Sequence, residues 1–184
     1  MSGISRVIVG TSGSPGSVRA LRYAETLARA HQATLVPVLA WEPPGGDRAD
    51  RVQPPSVYLR QAWRDAACQR LRDALSAVWG EVPDDPMVQP RVERGPAGWV
   101  LVSIACCPDD LLVIGAGRRG ALARMLACKV IRYCLAHARC PVLAVPPPAL
   151  AREIGHARLV WAFRRRTLTP DRVLGDQGRA PLQG

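Results

Sequence analysis

The chain has 184 residues, a hydrophobic content of 48% and a formal net charge of +10. This is the length of one ordinary domain with a sizeable core, and no apolar run reaches the roughly 18 residues that a membrane span needs. Because the N-terminus leads straight into a strand pattern without a signal peptide, we expect a cytoplasmic protein that does not contact membranes.

The first forty residues predict a strand, a helix and a second strand. Apolar residues from Arg6 to Thr11 indicate a buried strand that ends in a Gly/Ser loop. Helical spacing of apolar residues then predicts a helix that is N-capped by Ser17 and ends near His31. The next strand covers Ala33 to Trp41, and Pro37 within it indicates an edge strand or a bulge.

The middle of the chain continues this alternation. A polar, Pro-rich loop leads to a long amphipathic helix over Ser56 to Trp79. A short strand at about Val88 to Glu93 precedes a short helix from Pro96 to Cys106, whose apolar face, including Trp99, we expect to be covered by another segment.

The stretch from Asp110 to Pro146 has the clearest pattern. An apolar run over Leu111 to Ile114 ends at a Gly/Arg-rich loop, a helix beginning near Leu126 follows, and Cys140 to Val145 forms the last strand. Strands that alternate with helices predict an α/β fold, a five-stranded parallel sheet with helices on both faces.

The C-terminal segment differs in composition. We divide the chain into a domain over residues 1–146 and a basic extension over residues 147–184. An amphipathic stripe and an Arg triplet open the extension, and a Pro/Gly-rich end predicts disorder. Nucleic-acid binding by the Arg triplet is the less favoured interpretation, because such a triplet is more often a solvated helix end.

Catalytic groups are scarce. Two of the three histidines, His31 and His137, fall at the ends of predicted helices, and Asp109 and Asp110 stand where acids usually face solvent in a turn. The six cysteines form no C-x-x-C pair, so we interpret them as reduced thiols and the vicinal Cys106–Cys107 as a poor disulfide candidate. We therefore expect no metal ligand and no enzyme.

The loop after the fourth strand is the better candidate site. Gly115 allows close backbone approach, while Arg118, Arg119 and Lys129 surround the loop with positive charge. Lys129 is predicted in the first turn of the next helix, where a cation is disfavoured unless a bound anion offsets it. Solvated surface charge and an anion site both fit this pattern.

Three segments together resemble the universal stress protein family of the UspA type: RVIVGTSGSPGS, VLAWEP and VIGAGRRGALARMLACKVIRYCLAHARCPVLAVP. The resemblance implies a Rossmann-like five-stranded parallel fold over about residues 4 to 146. It also implies a homodimer, commonly paired through the last strand, here Cys140 to Val145, and leaves a further protein partner unknown.

The resemblance also implies a nucleotide site in one branch of the family, which binds ATP through G-x2-G-x9-G-[S/T] after the fourth strand. Here the first glycine matches Gly115, while the other three positions fall on Arg118, Cys128 and Lys129. An acidic residue that the family often carries after the first strand falls on Ser12. The positions that remain compatible with a nucleotide pocket are Thr11, Ser14, Leu39 through its backbone, and Val130.

Two functions fit these departures. One is a regulatory protein of stress type with a degenerate ATP motif and no bound cofactor. The other is a retuned nucleotide or anion binder, in which Arg118, Arg119 and Lys129 replace backbone contacts with charge-assisted ones.

Overall fold

In a computed structural model, the described residues are 3–46, 52, 54–81, 83–116 and 121–146, without the side chains of 121–128. By its own contacts the chain divides into one unit over Met1–Pro147 and another over Pro148–Gly184. The second unit lies outside the described residues, as do the predicted apolar stripe, the Arg triplet and the disordered end.

Gly46 and Val52, in the predicted Pro-rich loop, are helical, and the described part otherwise contains five strands and four helices. Their order and bounds are β1 Arg6–Gly10, α1 Pro15–His31, β2 Thr34–Trp41, α2 Val57–Trp79, β3 Arg91–Arg94, α3 Ala97–Ile104, β4 Asp110–Gly115, α4 Ala121–His137 and β5 Val142–Val145. The strands form one parallel sheet in the order β3-β2-β1-β4-β5. The predicted α/β class and sheet are confirmed.

Two apolar cores lie on the two faces of this sheet. In β1, Val7 and Val9 face the core formed with α1 and α2, while Ile8 faces the core formed with α3 and α4. This alternation follows from the period of two in a strand. Because both faces are covered, the central strands are continuously apolar.

The start of α1 differs from the prediction. Ser14 is the N-cap and accepts a hydrogen bond from the Ser17 backbone N–H, with Pro15 in the first turn. Ser17 itself is buried inside the helix, so its predicted capping role is wrong. Proline at the first helical position loses no hydrogen bond, because that N–H has no partner within the helix. The end at His31 is confirmed, and Gln32 follows it in the left-handed conformation.

Pro37 lies in an inner strand rather than at the edge. β2 pairs with β1 without interruption and with β3 from Val38 onward. The N–H of Leu35 bonds Met87 on the β3 side, so Pro37, two residues later, turns its missing N–H to the same side. On that side Val88 pairs with Leu35 in the same register that Arg91 keeps with Val38, so the ladder is interrupted only between these pairs, where Pro37 has no N–H to donate.

Helices α2 and α3 are only partly buried. In α2, Ala67, Leu71 and Leu75 are buried, whereas Leu59 in the predicted stripe is exposed. In α3, Leu101 packs in the core but Trp99 is 55% exposed, so the expected cover over Trp99 is absent among the described residues. None of the helices in the described ranges is long and apolar enough to span a membrane.

Candidate functional site

The carboxyl ends of β1 and β4 form the crevice where an open parallel sheet is expected to bind ligands. These strands are neighbours, and Gly10 pairs with Ile114 at their ends. After β1 the chain enters α1 on one face, and after β4 it enters α4 on the other. The two loops therefore diverge at this point, which we call the switch-point crevice.

The loop after β1 uses its polar groups internally. The backbone N–H and the hydroxyl of Thr11 both donate to the carbonyl of Val38, at 2.8 and 2.9 Å. The hydroxyls of Ser12 and Ser14 lie 3.0 Å apart, and Ser14 also caps α1. Of these residues, Ser12 is the one whose side chain is exposed to solvent. Thr11 is left with an acceptor lone pair but no spare hydroxyl proton.

Gly115 at the end of β4 has a packing role. A Cβ atom at this position would lie 2.5 Å from the carbonyl oxygen of Gly16 and 2.8 Å from its carbonyl carbon. Real Cβ atoms do not approach backbone so closely, so glycine is needed for β4 to pass the first turn of α1. The predicted close approach to Gly115 is present, but the group that approaches is the backbone of Gly16 and not a ligand.

Leu39 and Val130 lie on different sides of the sheet. The Leu39 side chain is buried in the core that α1 and α2 cover, so only its backbone could contact a ligand. Val130 packs on the other core, next to α3. The two predicted site residues are not brought together by their side chains.

Lys129 is not at the start of a helix. Because α4 begins at Ala121, Lys129 is its ninth residue and lies about 12 Å along the helix axis from the first residue. The predicted start near Leu126 and the first-turn placement are both wrong. The Lys129 side chain is exposed, and Cys128 precedes it in the helix backbone. Arg118 and Arg119 lie outside the described residues.

At the opposite, amino end of the same two strands lies a charged cluster that the sequence pattern did not predict. Asp110 is 1% exposed, and its two oxygens accept hydrogen bonds from Arg6 Nε and Nη2, both at 2.8 Å. The expectation of a solvent-facing turn is therefore wrong for Asp110. Hydrogen bonding to Asp110 raises the pKa of Arg6 above its usual value. A usable signal existed, since Arg6 and Asp110 head two strands that a parallel sheet can place side by side.

The neighbouring loop adds two thiols to this cluster. The backbone N–H of Cys107 donates to Asp110 Oδ2 at 2.9 Å, and the sulfurs of Cys106 and Cys107 are 3.7 Å apart. The Asp109 carboxylate accepts a hydrogen bond from the Ser5 hydroxyl, which lowers the pKa of Asp109.

A pocket of about 200 Å³ lies elsewhere, between the ends of α1 and α2 and the segment before β3. No predicted site residue lines it. Three of its polar side chains bond each other, because Glu25 accepts from Trp79 Nε1 and pairs with Arg29, both at 2.8 Å. We assign it no ligand, since these groups have protein partners already.

The histidines of the described part end helices. His31 and His137 are the last residues of α1 and α4, as predicted. His137 Nδ1 lies 2.9 Å from the carbonyl oxygen of Tyr133, and the two rings stack. His156 lies outside the described residues.

Similar solved structures include two universal stress proteins and one hypothetical protein. UspA from Lactobacillus plantarum is 20% identical, covers 79% of this chain and 99% of its own, and has a TM-score of 0.56. The hypothetical protein MJ0577 is 14% identical, covers 79% and 97%, and has a TM-score of 0.59. A universal stress protein in complex with cAMP is 24% identical, covers 78% and 98%, and has a TM-score of 0.47.

Comparison with curated protein sequences finds no match. The model of the universal stress protein family, in contrast, matches residues 3–146, which are most of the chain. The segments that carried the resemblance lie in β1, β2 and the stretch from β4 to β5, within these residues. This chain belongs to the universal stress protein family.

Proposed function

We propose that this protein is a regulatory, non-enzymatic member of its family that does not bind ATP through the glycine motif and that acts as a homodimer. The motif works by presenting backbone N–H groups to phosphates, which requires glycine and a helix N-terminus.

The observation that carries the proposal is the position of Cys128 and Lys129 within α4. Only the first four N–H groups of a helix lack an intrahelical partner. Since α4 begins at Ala121, the N–H groups at the last two motif positions lie beyond that first turn and are used by the helix. Phosphate binding there would require part of α4 to unwind.

The rest of the crevice supports the same reading. Gly115 is needed for packing against Gly16, and the Thr11 hydroxyl donates to Val38. A regulatory protein that works through a partner needs none of these groups to be free for a ligand.

The absence of catalysis is proposed from the distribution of reactive groups. In the described ranges, the group of three metal-ligating side chains that lie close together is Cys106, Cys107 and Asp110. It is at the amino end of β4, the opposite end of the strand from the switch-point crevice. We interpret the helix-end histidines as structural groups, since His137 Nδ1 lies 2.9 Å from the carbonyl oxygen of Tyr133.

The homodimer is proposed from the edge of the sheet. β5 pairs with β4 on one side, and no strand of the described part covers its other side. Ala144, in the middle of this strand, is exposed. An uncovered parallel edge is a template for pairing with a second copy.

Nucleotide titration tests the proposal most directly. The purified full chain is heated with millimolar ATP, ADP or cAMP, each with equimolar Mg²⁺, and the unfolding midpoint is followed. A ligand at a hundredfold excess over its dissociation constant stabilises the native state by about 2.7 kcal/mol. We expect no shift, and a saturable rise with ATP would contradict the proposed loss of the site.

The same assay distinguishes the first proposal from the alternative, in which the protein is a retuned anion binder. If a rise occurs and Lys129→Ser abolishes it while Arg132→Ser, one turn further along α4, does not, charge-assisted binding by Lys129 replaces the first proposal. If both variants keep the rise, nucleotide binds without Lys129 and both forms of the site are wrong.

A further inference from the structure

The vicinal pair Cys106–Cys107 lies in the loop between α3 and β4. Cys106 is exposed and Cys107 is half-buried, so the pair lies at the protein surface. Neither thiol has a role in the proposed regulatory function.

The loop holds the pair in a defined position. The Cys107 N–H donates to Asp110 Oδ2 at 2.9 Å, and the Asp110 N–H donates back to the Cys107 carbonyl at 3.2 Å. Asp110 is in turn fixed by two hydrogen bonds from Arg6, whose Nη2 also donates to the carbonyl of Ile104 at 3.2 Å. The sulfurs are thus presented by a turn that is tied to the central strand of the sheet.

The separation of the sulfurs matches a tetrahedral metal site. Two thiolates at about 2.3 Å from a zinc-type ion, with a tetrahedral angle between them, stand about 3.8 Å apart. The sulfurs of Cys106 and Cys107 are 3.7 Å apart. A disulfide would require about 2.0 Å, and adjacent residues bring their Cα atoms closer than most disulfides allow.

Charge balance also favours a divalent ion. The Asp110 carboxylate, within 4.8 Å of both sulfurs, is neutralised by Arg6. Two thiolates then neutralise one divalent cation, and no unpaired charge is left in the partly buried loop. Soft sulfur ligands select thiophilic ions over Mg²⁺ and Ca²⁺.

We propose that Cys106 and Cys107 bind a thiophilic d10 divalent ion, of the Zn²⁺ or Cd²⁺ type, through both sulfurs. On binding, each thiol loses its proton to solvent and forms one metal–sulfur bond, so that two protons are released per ion. Water completes the coordination, because the Asp110 oxygens are occupied by Arg6 and the Cys107 N–H.

The test titrates Cd²⁺ into the reduced full chain without oxygen and follows the ultraviolet charge-transfer band of cadmium thiolates. We expect one Cd²⁺ ion to bind per chain, with a charge-transfer intensity that corresponds to two cadmium–thiolate bonds. Cys106→Ser and Cys107→Ser should each lower the band by about half and weaken binding by at least about tenfold, the lower range seen when even an indirect ligand contact is removed.

Cys68→Ser is the matched control, because Cys68 is also a partly accessible thiol but lies on α2. It should bind Cd²⁺ as the wild type does. Wild-type protein that binds no Cd²⁺, or Cys106 and Cys107 variants that bind as tightly as wild type, would overturn the proposal. Unfolding midpoints of the variants show whether the chain remains folded, which we expect because neither sulfur is in a core.

Discussion

Arg6 and Asp110 form a two-pronged ion pair across the two central strands, with Nε and Nη2 of the arginine each 2.8 Å from a different carboxylate oxygen. The two residues are register partners at the start of β1 and β4. Their exposure is unequal, since the Arg6 side chain is 30% exposed and that of Asp110 is fully buried.

This inequality predicts unequal effects of mutation. Arg6→Met leaves a buried carboxylate uncompensated and should cost about 3 kcal/mol of unfolding free energy. Asp110→Leu should cost less, because Arg6 can turn its charge toward water. The double variant should be less destabilised than the sum of the two, as a double-mutant cycle in urea at pH 7 would show. Additive costs would mean that the two side chains are not coupled.

Gly115 predicts a steric effect that is separate from ligand binding. Gly115→Ala places Cβ against the backbone of Gly16, which cannot turn away as a side chain can, and should destabilise the fold by about 1–3 kcal/mol. Gly3→Ala is the matched control, since nothing lies within 4 Å of its Cβ position, and it should change stability by less than about 0.5 kcal/mol. Equal stability of the two variants in urea unfolding would contradict the packing role.

The sequence predicted the elements of the fold far better than the details of the site. In the described part of the chain, apolar runs located the strands and helical spacing of apolar residues located the four helices, although not the start of α4. The prediction that Asp110 faces solvent was wrong because its partner, Arg6, lies 104 residues away in the chain. A local sequence pattern does not show contacts between residues so far apart. The start of α4 was misplaced because no Ser, Thr, Asp or Asn stands in the four residues before Ala121, whereas Ser14 and Ser56 cap α1 and α2. The prediction from Pro37 was wrong because an inner strand can hold a proline where its ladder with the neighbouring segment is locally interrupted.

The edge strand predicts a selective way to disrupt the proposed dimer. The carbonyl of Val145 accepts a hydrogen bond from the N–H of Ala116, just after β4, so the N–H of Ala144, one residue earlier, points to the open side. Ala144→Pro removes that outward donor without removing a bond to β4. We expect the variant to sediment as a monomer, with Ala144→Ser as the control that keeps the N–H. A dimer that survives Ala144→Pro places the interface elsewhere.

Cys134 predicts a loss of stability at alkaline pH. Burial, and secondarily the charge of Cys140, raises the pKa of Cys134 to about 11 from an ordinary value of 9.0. The folded state therefore holds this proton more tightly, which stabilises the fold fully below pH 9 and progressively less as pH rises toward 11. By about pH 10.5 the loss should approach about 2 kcal/mol.

Urea unfolding between pH 8 and pH 10.5 measures this effect by difference. Other groups titrate in the same range, so Cys134→Ala serves as the reference. The difference in unfolding free energy between the wild type and this variant should become smaller as pH rises. Parallel curves would show that the Cys134 thiolate costs the folded state nothing.

The pairing of β1 with both β2 and β4 has a consequence for biosynthesis. β1 can pair with β2 once about forty residues have left the ribosome, but β4 follows only after residue 115. Through that interval the apolar strand β1 keeps one edge unpaired, and an unpaired apolar edge can pair with another chain. The pairing of β1 with β4 is thus formed late, and the N-terminal half of the protein remains partly assembled until β4 has been synthesised.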